Sequence, residues 1–173
     1  MGNALDSFKP KPAKVFLTGL DAAGKTTLAY AIGSEPRLDV MCSWGPEQLM
    51  WRNINFFCWD LGGQEKIKVI LRPFLTGTKG IAFVFDSTDK DQENIDLAKR
   101  EVNWLISESD FKGLPLLVLA NKQDLEGASS VAEVAERLGL DEIVDRKWHI
   151  QGTTYKNKQS VIDGFDWLQK AMR

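Results

Sequence analysis

At 173 residues the chain is long enough for one domain with a full core and too short for two of ordinary size. Its 43% hydrophobic and 27% charged residues exclude a disordered or fibrous chain, and a balance of 22 basic against 24 acidic side chains leaves no electrostatic footprint for nucleic acid. No apolar run approaches the roughly 20 residues a bilayer-spanning helix needs. The opening "MGNALDSFKPKPAK", broken by Pro10 and Pro12, has no signal-peptide core, so the chain is expected in the cytoplasm.

In chain order, residues 1–13 read as a separate N-terminal targeting or regulatory segment and 14–173 as the domain. Gly2, once Met1 is removed, is a candidate myristoylation site, although Asp6 stands where Ser or Thr is preferred. Ala4, Leu5 and Phe8 can line one face of a short helix that Pro10 and Pro12 stop. One acyl chain holds a protein to a bilayer only weakly, so reversible docking and an undecorated tail both stand as readings.

Short apolar runs at 15–18, 56–60, 81–86, 116–121 and 148–151 follow, each rich in Val, Ile, Phe or Leu as strands buried on both faces require. Between them lie the helical patterns "TTLAYAIG", "EKIKVILRPFL", "DQENIDLAKREVNWLISES" and "SVAEVAERLG", and "SVIDGFDWLQKAMR" closes the chain. Ile95, Val102, Leu105 and Ile106 recur at helical spacing in the third. The segment "MWRNINFF" differs: Arg52-Asn53 between apolar residues predicts an antiparallel hairpin at one edge. Alternating βα units predict a mainly parallel sheet with helices on both faces, and ligands of such sheets bind outside the carboxyl ends of the strands. Cys42 and Cys58 lack metal-ligand or redox spacing and read as reduced residues in or near the core, and the single His149 reads as a packing residue.

Three segments carry the chemistry. Gly19-Leu20-Asp21-Ala22-Ala23-Gly24-Lys25-Thr26 fits G-x-x-x-x-G-K-[ST], with a predicted strand before it and a helix after. The glycines let backbone N–H groups converge on phosphate oxygens, the helix adds its positive end, and Lys25 reaches the β- and γ-phosphates. Thr26 offers a hydroxyl to Mg²⁺, and Thr27 continues the cradle into the helix. In "FFCWDLGGQE", Asp60 ends a strand where a Walker-B carboxylate holds Mg²⁺, Gly63 lets its N–H approach a γ-phosphate, and Gln64 is placed to orient an attacking water. In "LLVLANKQDL", Asp124 can accept from N1–H and the 2-amino group of guanine, a donor pair adenine lacks. Lys122 can lay its stem along the ring and Asn121 can tie base to loop.

The order of "GLDAAGKTT", "WDLGGQ" and "NKQD" resembles the small GTPases. The first two spellings, with "MGN" at the start, "GIAFVFDSTD" and the closing "IQGTTY…GFDWL", resemble the ADP-ribosylation factor and ADP-ribosylation factor-like family in particular. The resemblance implies an α/β fold, a single P-loop NTPase G-domain with a mostly parallel six-stranded sheet, one antiparallel edge strand and helices on both faces. It implies a GTPase switch that binds GTP or GDP with Mg and recruits effectors in vesicle or membrane traffic. It further implies an exchange factor, a GTPase-activating protein, and reversible association with the cytosolic face of Golgi or other endomembranes. Thr154 and Tyr155 occupy the place where the family usually carries Cys-Ala or Ser-Ala beside guanine. Trp44, Trp59 and Phe74 match an exposed aromatic trio used for effectors, with core packing as the alternative fate.

The chain also departs from the pattern. The family's first switch loop carries a Thr that binds Mg²⁺ and senses the γ-phosphate; its place here is taken by Met41, and no Thr lies between Thr27 and Asp60. A thioether does not ligate a hard cation, and Ser43 is the only hydroxyl near enough to substitute. The first loop carries Asp21 rather than an arginine, and Arg37 reads as a solvated residue with service in cis as the alternative, so the transition-state arginine is expected on a partner and intrinsic hydrolysis is expected to be slow. A nucleotide-holding scaffold without useful hydrolysis is the alternative; a P-loop kinase has no visible second substrate site.

Overall fold

The computed structural model describes residues 11–36, 46–60 and 65–173. Twelve main elements follow one another: β1 (Ala13–Gly19), α1 (Lys25–Ala31), β2 (Glu35–Pro36), β3 (Glu47–Trp51), β4 (Ile54–Asp60), α2 (Glu65–Leu75), β5 (Thr78–Asp86), α3 (Gln92–Ser107), β6 (Leu116–Asn121), α4 (Val131–Arg137), β7 (Trp148–Gly152) and α5 (Lys158–Ala171). The apolar runs are strands because β-branched and aromatic side chains pack well on a pleated surface covered on both sides. All six residues of β6 are buried, and the last five of β1 are as well.

The strands form one sheet in the order β2-β3-β4-β1-β5-β6-β7. From β4 through β7 neighbouring strands are parallel, whereas β3 is antiparallel to β4 and β2 to β3. The predicted hairpin is present, with Arg52 at φ 50 in the left-handed region of its turn. Arg52 is steadied there by Asp166 at 2.7 Å and by the Trp51 ring at 4.2 Å. The α/β architecture matches the expectation, with seven strands instead of six. The additional strand, β2, is two exposed residues, Glu35 and Pro36, aligned on Met50 and Leu49. Two polar-edge residues carry no periodicity, so only pairing across the sheet edge reveals this strand.

Alternation along the strands sorts the core into two faces. Phe16, Ile81, Phe83 and Val118 pack beneath α2, α3 and α4, and Val15, Leu17, Val84 and Leu119 pack beneath α1 and α5. In α3, Ile95, Val102 and Leu105 face the core, whereas Ile106 is only partly buried. Its first turn is capped by Asp91, whose side chain accepts from the Glu93 N–H. Cys58 lies in the second face, and burial, followed by the nearby Glu47 carboxylate, pushes its thiol up to about 12, which removes it as a nucleophile. His149, on β7, is half-buried against the Trp167 ring at 5.2 Å. Among the described residues no helix is long and apolar enough to cross a membrane.

Phe165 anchors α5 at the hairpin end of the sheet, fully buried with its ring 4.8 Å from Phe56 and 6.1 Å from Trp51. Phe165→Ala is expected to cost about 3–5 kcal/mol through lost transfer energy and the cavity left behind. A urea-denaturation midpoint checks this; a loss below ~1 kcal/mol would show that the site collapses around the gap.

Candidate functional site

The carboxyl ends of β1, β4 and β6 open onto one cleft of about 530 Å³. Four segments distant in the chain line it. Asp21, Ala22, Gly24, Lys25, Thr26 and Thr27 come from the first loop and α1, and Asp60 from the end of β4. Asn121, Lys122, Asp124 and Leu125 follow β6, with Tyr155 and Lys156 beyond β7.

Two glycines make this convergence possible. A Cβ on Gly19 would stand 2.4 Å from the Val84 carbonyl oxygen, so only glycine lets the chain leave β1 this close to β5. Gly24 has φ 102, and a Cβ there would meet Asn121 Nδ2 at 2.5 Å. That amide donates to the Ala23 carbonyl at 2.9 Å, and Asn121 Oδ1 accepts from Thr153 at 3.2 Å, so the buried side chain is satisfied at both ends. Lys122, itself left-handed at φ 65, donates to the Ala22 carbonyl at 3.0 Å and to Asp86 at 2.7 Å. Lys25 is buried and donates to the Leu20 carbonyl at 3.1 Å while pairing with the exposed Asp60 carboxylate. The parallel register of Gly19 with Asp60 sets that pair.

Asp124 stands at the opposite end of the cleft. Its Oδ1 accepts from Thr154 Oγ1 at 2.7 Å, and its Oδ2 pairs with Lys156 Nζ at 3.1 Å. Thr154 therefore acts from behind the wall, while Tyr155, 57% exposed, stands at the rim.

The chain matches the ADP-ribosylation factor family over residues 2–172. ADP-ribosylation factor K of Dictyostelium discoideum is 35% identical over 164 residues, which span 94% of this chain and 86% of that protein. The chain belongs to the ADP-ribosylation factor family. Proteins of this family are GTP-binding switches and GTPases, so GTP or GDP with Mg is the ligand against which the cleft of this family member is to be measured.

The donor chemistry fits. Backbone around two glycines, a buried ammonium and the start of a helix suit phosphate oxygens. The Thr26 hydroxyl and Asp60 carboxylate, both lining the cleft, are hard oxygen donors of the kind Mg²⁺ takes and would hold it there. No group of three or more His, Cys, Asp or Glu that could hold a metal occurs among the described residues, so nothing there suggests an all-protein cage.

Of the other expected residues, Leu20 and Ala23 lie outside the cleft lining and contribute through their carbonyls. Trp59 is half-buried and packs against the core face beneath α2, α3 and α4, and Phe74 is half-buried with its carbonyl accepting from Lys14. On α2, Val69 and Ile70 are exposed apolar side chains. Gly2, Met41, Ser43, Trp44, Gly63, Gln64, and with them Arg37 and Cys42, lie outside the described residues. Sequence reasoning missed Leu125, Lys156 and Asp86. Asp86 ended a predicted strand, which was its signal; Lys156 belongs to no spacing pattern, and only the fold carries it to Asp124.

Three Lys–Asp pairs thus surround the cleft. The Thr154 hydroxyl, then the Lys156 ammonium, hold the Asp124 carboxyl below the usual carboxylate range, and Lys156 is raised in turn. Burial works to raise the Asp86 carboxyl, but bonds from Lys122 and Thr88 outweigh it and the group also ends below its usual range. A carboxyl depressed in the fold contributes stability that is present above the unfolded value, about 3.9, and lost as pH falls through the folded value. The urea midpoint of the unaltered protein is therefore expected to fall further between pH 7 and pH 3 than that of Asp86→Asn, and parallel slopes would remove Asp86 as a contributor.

Proposed function

We propose that this chain is a guanine-nucleotide switch that binds GTP and GDP with Mg in the described cleft and hydrolyses GTP slowly until a partner assists. Support comes from one juxtaposition above all: Lys25, opening α1 directly after a glycine-bounded loop, and Asp124, oriented by Thr154, stand at the two ends of one cleft. In this reading Gly19 and Gly24 shape the loop, the backbone of 21–26 and Lys25 hold the phosphates, and Thr26 and Asp60 hold Mg²⁺, which neutralises charge between the phosphates. Asp124 accepts from guanine, Lys122 lies along the ring while Asp86 fixes its head, and Asn121 ties the base loop to Ala23. Thr154 and Tyr155 complete the rim. Gly63 senses the γ-phosphate, and Gln64 orients the water that attacks it, with the arginine coming from an activating protein.

An exchange factor, an activating protein and effectors reading Trp44, Trp59 and Phe74 complete the proposal. Function in vesicle or membrane traffic, with reversible docking through Gly2, belongs to the same reading. The missing Thr between residues 27 and 60 favours a second reading, a nucleotide-holding scaffold with little hydrolysis.

Base recognition is tested by Asp124→Asn. An amide presents an acceptor to N1–H and a donor where xanthine carries its 2-oxo group, so preference is expected to move from GDP toward XDP by roughly tenfold or more. Unchanged competition between the two would remove the guanine assignment.

The two readings separate in single-turnover hydrolysis. For the switch, Gln64→Leu is expected to lower the partner-stimulated rate by at least about tenfold. Equal, negligible rates in both proteins with every activator tried would favour the scaffold.

A further inference from the structure

Beside the cleft, and outside the roles given above, lies a second polar cluster. Ser129 is 1% exposed, and its N–H donates to the Ser87 carbonyl at 2.7 Å. Its Oγ accepts from Lys90 Nζ at 2.6 Å and from Arg137 Nη1 at 2.9 Å. Two cations therefore meet at one neutral oxygen, where like charges repel.

Neither cation has a carboxylate partner among the described residues. The acids beside them face other donors. Glu133, one helical turn before Arg137 and spaced for an i,i+4 pair, accepts from the Ser130 N–H at 2.9 Å in a capping box. Asp89 accepts from the Asp91 N–H and from Asn94, each at 3.0 Å, and Asp91 accepts from the Glu93 N–H at 2.9 Å. Each of the three is committed to a neutral N–H.

Ser129 Oγ thus holds an ammonium and a guanidinium together, and their remaining N–H groups are a donor set that matches the several oxygens of a tetrahedral anion.

We propose that Lys90, Arg137 and Ser129 form a binding site for a phosphoryl oxyanion, distinct from the nucleotide cleft. The site has a route to the base-reading loop: Gln123 Nε2 donates to Ser87 Oγ and to the Ser129 carbonyl, each at 3.0 Å, and Gln123 lies between Lys122 and Asp124. The same chemistry is offered by free phosphate and by a phosphorylated lipid headgroup.

The test is a titration of the isotope-labelled full chain, saturated with GDP, with inorganic phosphate against chloride at matched ionic strength. Saturable NMR shifts are expected at the Arg137 Nε–H and the Ser129 N–H with phosphate only. Arg137→Gln and Lys90→Gln are each expected to weaken binding at least tenfold while GDP retention is unchanged. The readout at Arg137 does not depend on which nucleotide fills the cleft, so failure of the guanine reading and failure of this site are told apart. A second arm floats the protein with phosphatidylcholine vesicles with and without phosphatidylinositol 4-phosphate. Arg137-dependent flotation assigns the headgroup, and phosphate shifts without flotation assign a free anion. Equal shifts with chloride, or neither saturable shifts nor Arg137-dependent flotation, overturn the proposal.

Discussion

The contact between Asn121 and the loop that ends β1 is the constraint on which the cleft depends. Asn121 Nδ2 reaches the Ala23 carbonyl only because Gly24 lacks a Cβ. The bond joins segments 98 residues apart and stays dry, so an alternative partner from water is not at hand. With it in place, the end of β6 is fixed against the start of α1, and Lys122 falls over the Ala22 carbonyl and Asp86. The two sides of the cleft are thereby tied together by side chains that are themselves held in place.

The three Lys–Asp pairs around the cleft divide according to burial. Lys25 is buried and Lys122 is largely covered, so their charges are poorly screened and strongly positioned. Lys156 is 58% exposed, and a pair of that kind contributes little to stability. Its consequence is local: it sets the charge around the carboxylate proposed to read the base, and it lies beside an aromatic rim residue, Tyr155, where the family usually carries a smaller one. In the proposed reading the chain keeps the phosphate and base loops of the family while varying the residues beside the base and in the first switch loop. Belonging to the family is therefore compatible with residence times and hydrolysis rates of its own.

Buried polar groups elsewhere support the same organisation. Glu101 of α3 is 1% exposed and pairs with Lys68 of α2 at 3.4 Å, while Lys68 also lies 5.0 Å above the Trp104 ring. A buried ion pair adds little net stability, and removing one partner leaves an uncompensated buried charge. It aligns the start of α2, the element that follows Gln64, against the core face beneath α3.

Much of this was legible in the residues alone. The βα alternation, the hairpin at Arg52-Asn53, the strand ends at Asp60 and Asn121 and the glycine spacing of the first loop are local signals, since strand burial, turn conformation and phosphate cradling each need particular residue types at short separations. What tertiary structure alone decided is the partnering of residues with no periodic or motif relation. The pairing of exposed Glu35 and Pro36 as a seventh strand, the approach of Lys156 to Asp124, the half-burial of Trp59 and the meeting of Lys90 with Arg137 at Ser129 all depend on which surfaces the sheet brings together. A chain specifies its local conformations through the chemistry of near neighbours, whereas contacts across dozens of residues exist only once the whole core has chosen its register.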